Sequence, residues 1–150
     1  MNFFAIVSEF NPFHTGHRHL IEQTKANTET DAVVCVMSGS MVQRGDVAIF
    51  DKWTRAKAAV ENGADLVVEL PVCYVLQSAD IFAKGAIDII NCMGAQGIAF
   101  GSECTDIELI KKLSAIRAQE PPEYTNALKD ALKDGMGYPA ASEYAAKEAV

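Results

Sequence analysis

All three histidines of the chain fall within six positions, at His14, His17 and His19. His14-Thr15-Gly16-His17 follows an apolar run by a short loop and opens a helical pattern. A helix start presents unpaired N–H groups and the positive end of the helix dipole, which together favour phosphate. Gly16 allows close approach to the backbone, and residues 14 and 17, three apart, share one helical face. Two imidazoles placed there can donate hydrogen bonds to phosphate oxygens. They would stabilise the charge that builds on an α-phosphate under attack. Pro12 fixes the loop before them and offers no N–H. Ordinary histidines near a helix start are the plain alternative, and their clustering argues against it. Imidazole also binds zinc, but no Cys or carboxylate nearby completes a ligand set, so no metal site is expected.

The elements that must position these side chains alternate. Apolar runs at Phe3–Val7 and Asp31–Met37 read as buried strands, and Asp65–Leu70 and Gly97–Phe100 read as a third and fourth strand. Thr15 to Lys25, Lys52 to Glu61, Ser78 to Met93 and Asp106 to Ala118 read as helices, with two more at 122–134 and 139–149. This alternation predicts an α/β, Rossmann-like parallel sheet with helices on both faces and right-handed crossovers, followed by a helical C-terminal segment. The expected division is a core over 1–118 and a helical extension over 119–150. In such sheets ligands sit beyond the carboxyl ends of the strands. Polar stretches occupy those ends after strand one (Ser8 to His17), strand two (Ser38 to Asp46) and strand four (Gly101 to Glu103). Three loops converging on one edge predict that a phosphate-bearing ligand binds there, against residues 7–20 and Gly101.

Outside the histidine motif the candidates are basic. Arg44, in the polar loop Gln43-Arg44-Gly45-Asp46, has a planar fork suited to phosphate, free or in a nucleic-acid backbone. Lys52 and Arg55 lie three apart on a helical face and are further candidates of the same kind, with a solvated helix face as the alternative. Trp53 reads as a core residue sooner than a stacking platform. Glu69 stands inside a Val-rich strand, where a carboxylate is costly unless paired. Ser8 can offer a hydroxyl near a ligand. The four cysteines, at 35, 73, 92 and 104, form no C-x-x-C pair, and Cys35 and Cys73 read as small core residues.

Composition sets the outer bounds. The 150 residues, 49% of them hydrophobic, suit a globular chain with one sizeable core. No apolar run reaches the length needed to cross a bilayer, and the N-terminus lacks the features of a signal peptide, so a cytoplasmic protein without membrane contact is expected. The net charge is −7 and uneven: residues 1–60 carry six basic and six acidic side chains, and residues 61–150 hold the whole excess. An acidic second half repels a phosphate backbone.

The H-x-G-H pattern after strand one resembles the signature of the nucleotidyltransferase superfamily, shared with class I aminoacyl-tRNA synthetases and phosphopantetheine adenylyltransferase. Longer stretches resemble one member, the bacterial tRNA(Met) cytidine acetate ligase family. They are Val7-Ser8-Glu9-Phe10-Asn11-Pro12-Phe13-His14-Thr15-Gly16-His17, Met37-Ser38-Gly39-Ser40-Met41-Val42-Gln43-Arg44-Gly45-Asp46, Asp51-Lys52-Trp53 with Arg55-Ala56, Gly63 to Pro71, and Phe100-Gly101-Ser102-Glu103. The resemblance implies an ATP site over Val7 to His17, Arg18, His19, Leu20 and Gly101, with His14 and His17 catalytic and ATP accompanied by Mg2+. It implies formation of acetyl-adenylate and pyrophosphate from ATP and acetate, then acetylation of N4 of the wobble cytidine of elongator tRNA(Met). Members of that family are longer by a further helical part. By this resemblance the chain looks like an N-terminal part or a truncated relative, and tRNA acetylation is expected to need the further helical part. A small-molecule adenylyltransferase of the phosphopantetheine type and a non-catalytic nucleotide-binding module are the competing readings.

Overall fold

The computed structural model describes residues 2–43 and 45–150, which fall into two compact units divided between Gly101 and Ser102. In the first unit the elements are β1 (Phe3–Ser8), α1 (Thr15–Asn27), β2 (Ala32–Ser38), α2 (Lys52–Glu61), β3 (Leu66–Leu70), α3 (Val72–Val75), α4 (Ala79–Met93) and β4 (Gly97–Ile98). The strands pair in parallel in the order β3-β2-β1-β4. Register runs from Phe3 opposite Ala32 to Ser8 opposite Met37, and from Val34 opposite Leu66 to Ser38 opposite Leu70.

Side chains along a strand alternate between faces, and here both faces are apolar. Ile6 of β1 and Val33, Cys35 and Met37 of β2 pack with Ile21 of α1 and Ala59 of α2. Their neighbours Ala5 and Val36 pack on the other side with Val75 of α3 and Ala86 and Ile90 of α4. The sheet is thus covered on both faces, as the unbroken apolar runs predict. Only β2 is buried throughout. β3 is an edge strand and exposes Leu66 and Glu69, because one of its sides has no neighbouring strand. α2 begins where the Asp51 carboxylate accepts the N–H groups of Trp53 and Thr54 at 2.9 and 3.0 Å. α4 stops at Gly94, whose φ of 78° is the left-handed conformation that favours glycine.

The second unit holds α5 (Ile107–Gln119), α6 (Pro122–Lys133) and α7 (Tyr138–Glu148). Tyr124, Ala145 and Ala146 form its core, with Leu113 and Ile116 of α5 packed against them. Tyr124 Oη and Ser142 Oγ share a hydrogen bond of 2.9 Å in that core. Since α5 packs on α7, the compact units divide after Gly101, earlier than the expected boundary at 118. Among the described residues no helix is long and apolar enough to cross a membrane.

Candidate active site

β2 and β3 lie to one side of β1 and β4 to the other, so the strand order reverses beside β1. The crevice outside the carboxyl end of such a strand is where open α/β sheets bind ligands. A cleft of about 560 Å³ opens there, lined by residues 6–12, His14, His17 and Leu20, with Gln43 from the loop after β2 and Phe82 from α4.

The two histidines cap α1 reciprocally. His14 Nδ1 accepts the Gly16 N–H at 3.1 Å, and His17 Nδ1 accepts the His14 N–H at 3.2 Å. The imidazoles stack with centroids 3.6 Å apart and planes 27° from parallel. An accepting Nδ1 leaves the ring proton on Nε2, so both rings are held as Nε2–H tautomers. Burial lowers the His17 pKa from its ordinary 6.5, and the neighbouring His14 lowers it further. Neutral His17 therefore donates through Nε2–H. The helix start offers fewer free N–H groups than expected, since those of Gly16 and His17 are already taken by the His14 ring and carbonyl.

The loop between β1 and α1 is held from several sides. Phe10 is buried at 1% exposure with a φ of 47°, a conformation rarely adopted by bulky residues and costing about 1–3 kcal/mol. The Asn11–Pro12 peptide is cis. The Phe10 ring meets Phe13 and His17 edge-on at 5.0 and 4.9 Å. Glu9 Oε1 accepts the Gln43 N–H at 2.6 Å, and Asn11 Oδ1 accepts the Ile49 N–H at 2.7 Å. Two side chains of the first loop thereby anchor the second. Ser8 lines the cleft, and its buried Oγ has no hydrogen-bond partner among the described residues, as suits a group left for a ligand.

Of the residues expected at the site, the cleft gathers Val7, Ser8, Glu9, Phe10, Asn11, Pro12, His14, His17 and Leu20. Phe13 packs behind His17, and Gly16 lies under the His14 ring, where an added Cβ would come within 3.0 Å. Thr15, Arg18 and His19 are exposed, and Arg18 pairs with Glu22 along α1 at 2.7 Å. Gly101 is exposed with open space where a Cβ would stand, and it is not among the residues lining the cleft. Arg44 lies outside the described residues.

The remaining basic candidates are engaged elsewhere. Lys52 Nζ contacts Glu69 Oε2 at 2.6 Å, and since Glu69 is exposed on the edge strand, no burial cost forces this pairing. Arg55 is 1% exposed and donates to the backbone carbonyls of Phe50, Glu9, Ser38 and Gly39, so its guanidinium faces no phosphate. Sequence spacing put Lys52 and Arg55 on one helical face without showing that the sheet edge covers part of that face. Trp53, read as a core residue, is 75% exposed, and Cys73 is exposed as well. Glu9 and Asn11 as anchors of the second loop were not legible in sequence, because their acceptors act on backbone N–H groups more than thirty residues away.

A profile of the family described as HIGH Nucleotidyl Transferase matches residues 1–150, and the chain belongs to that family. A tRNA(Met) cytidine acetate ligase of Clostridium perfringens (strain SM101 / Type A) is 51% identical over 142 residues, covering 94% of this chain and 35% of the relative. One from Caldicellulosiruptor saccharolyticus is 48% identical over 143 residues, covering 95% of this chain and 36% of the relative. The crystal structure of Thermotoga maritima TmcAL bound with alpha-thio ATP superposes with a TM-score of 0.85 at 38% identity. It covers 97% of this chain and 35% of that one. The chain thus spans about a third of the length of the curated relatives it matches.

Proposed function

We propose that this chain is the adenylate-forming part of a tRNA(Met) cytidine acetate ligase, binding ATP in the cleft beyond β1. The observation that carries the reading is the His14–His17 pair, with two Nε2–H donors fixed by backbone contacts at the edge of that cleft. An acetate oxygen attacks the α-phosphorus, the bond to the bridging oxygen of the β-phosphate breaks, and pyrophosphate leaves. Negative charge grows on the phosphate oxygens during this step. Donors already oriented in a partly dry site stabilise that charge without reorganisation. Mg2+ accompanying the triphosphate would neutralise part of its charge. In the second step the N4 amine of the wobble cytidine of elongator tRNA(Met) attacks the acetyl carbon, AMP leaves, and the amine gives up a proton. The identity to ligases over most of this chain supports the substrate assignment, and a cytoplasmic location fits a tRNA substrate. We also propose that residues 7–20 and Gly101 contact the nucleotide.

ATP–pyrophosphate exchange with and without acetate tests the reading. Exchange that depends on acetate is expected. Exchange without acetate but with a phosphate-ester acceptor would instead make the protein a small-molecule adenylyltransferase. ATP binding with no exchange under either condition would leave a nucleotide-binding module.

A further inference from the structure

We infer that Arg55 is a positioning residue for adenylate formation, aiming His17 through the Glu9 carbonyl and the left-handed backbone of Phe10. The inference rests on the function proposed above. Four carbonyls from three segments surround the guanidinium. Nε donates to Phe50 O at 3.0 Å, Nη1 to Ser38 O at 3.2 Å and to Glu9 O, and Nη2 to Gly39 O. Phe50 precedes the cap of α2, Ser38 and Gly39 end β2, and Glu9 follows β1. One side chain therefore joins both loops of the carboxyl edge and the start of α2.

Burying a guanidinium is expensive, and a well-packed apolar side chain of similar volume often serves stability as well or better. Burial lowers the Arg55 pKa, and the carboxylates of Glu9, Asp51 and Glu69 oppose that shift without forming an ion pair with it. The planar fork is what these carbonyls use, and lysine has no equivalent of it. Its Glu9 contact explains the placement. That carbonyl belongs to the peptide plane between Glu9 and Phe10, whose orientation sets φ at Phe10, here 47°. The Phe10 ring in turn lies edge-on to His17 at 4.9 Å, while His17 Nδ1 is tied to the His14 N–H. With one edge packed and one nitrogen bonded, the direction of Nε2 is determined. Arg55 itself does not line the cleft, so its effect reaches the reaction only through these neighbours.

The test is a double-mutant cycle on exchange kinetics with wild type, Arg55→Lys, His17→Ala and the double variant. Arg55→Lys is expected to lower kcat about 10- to 10²-fold with KM for ATP little changed. In the His17→Ala background the same substitution should cost about twofold or less, because coupled residues do not add. Equal losses in both backgrounds would overturn the inference and leave Arg55 a residue that merely holds the fold. A substrate-free measurement separates this from failure of the ligase reading. The imidazole nitrogen signals of His17 should move in Arg55→Lys while those of His19 stay. Unmoved His17 signals would refute the inference whatever reaction the protein catalyses. If Arg55→Lys does not fold, Phe10→Leu takes its place. It keeps an apolar residue but removes the ring edge from His17, and it should show the same non-additivity. Additive behaviour of Phe10→Leu counts against the inference.

Discussion

His14 and His17 cap the same helix end by exchanging backbone contacts, His14 Nδ1 with the Gly16 N–H and His17 Nδ1 with the His14 N–H. Cap and chemistry are therefore separable at His14. Asparagine is a good N-cap but lacks the Nε2–H donor, so His14→Asn should fold with near wild-type stability and form adenylate slowly. His14→Ala should lose the cap as well, about 1 kcal/mol in urea unfolding. At His17 the donor acts on charge that develops in the transition state. His17→Ala should thus slow adenylate formation of order 10²–10³-fold while ATP affinity changes much less. Equal, modest losses in rate and affinity would make His17 a ground-state contact.

The lowered pKa of His17 has a pH signature in stability. Between its folded pKa and 6.5 the unfolded chain binds a proton that the folded chain refuses. The His17 contribution is therefore fully present above pH 6.5 and is lost as pH falls from 6.5 through the folded value. NMR titration should place the His17 midpoint below 6.5, and His17→Gln should flatten the slope of unfolding free energy in that window. A midpoint at or above 6.5 contradicts the buried, stacked arrangement.

Two buried glycines should respond differently to alanine. A Cβ at Gly85 would run into the Tyr74 ring and its Cβ, which cannot move without repacking α3 on α4. Overpacking of that kind costs about 1–3 kcal/mol. At Gly39 the Cβ would meet the carboxyl end of Glu69, a flexible side chain that can swing away. The loss there is chiefly the exposed Lys52–Glu69 pair, worth about 0–1 kcal/mol. Chemical unfolding of Gly85→Ala and Gly39→Ala checks the order, and a larger loss at Gly39 would contradict it.

Trp53 offers an optical check, since it is the single tryptophan of the chain. At 75% exposure it should emit as a solvated indole, and Trp53→Ala should change stability by no more than about 0.5 kcal/mol. Blue-shifted emission or a large loss would restore the core reading.

The alternation of strands and helices was legible because both faces of β1 and β2 are covered, which makes their apolar runs unbroken. The motif's place at a strand end and helix start followed from that alternation. Sheet order was not legible, and with it went the exposure of β3. β4 shrinks to Gly97–Ile98, and α3 occupies a stretch that carried no helical pattern of its own length. The histidine tautomers, the Glu9 and Asn11 anchors and the burial of Arg55 depend on contacts between side chains and distant backbone atoms. Residue type announces such a contact only weakly, because the same arginine on the same helix face would serve phosphate equally well in the open.

The placement of the basic residues bears on tRNA. Residues 1–60 carry no net positive charge and the rest of the chain carries −7. Arg44, Lys52 and Arg55 were the sequence candidates for phosphate contact, and Lys57 of α2 is the next basic residue along the chain. Of these, Arg55 is buried, Lys52 is paired with Glu69, and Lys57 lies 3.7 Å from Glu61 along α2. Each such pairing returns a negative charge to the surface that a phosphate-binding patch would need to present. Phosphate contacts by free Lys and Arg supply most non-specific affinity for nucleic acid. Residues 1–150 should therefore bind tRNA no more tightly than about 10⁻⁴–10⁻⁶ M at physiological salt, the non-specific range, and should need further chain for acetyl transfer. A titration against elongator tRNA(Met) and an unrelated tRNA decides the matter. Weak binding with no preference is the expected result. Tight, saturable binding to elongator tRNA(Met) alone would refute it. Glu69→Gln then offers a finer check, since it removes the carboxylate paired with Lys52 and raises the net charge by one unit at the carboxyl end of β3. The variant should bind both tRNAs more tightly than wild type, and the gain should shrink as salt rises.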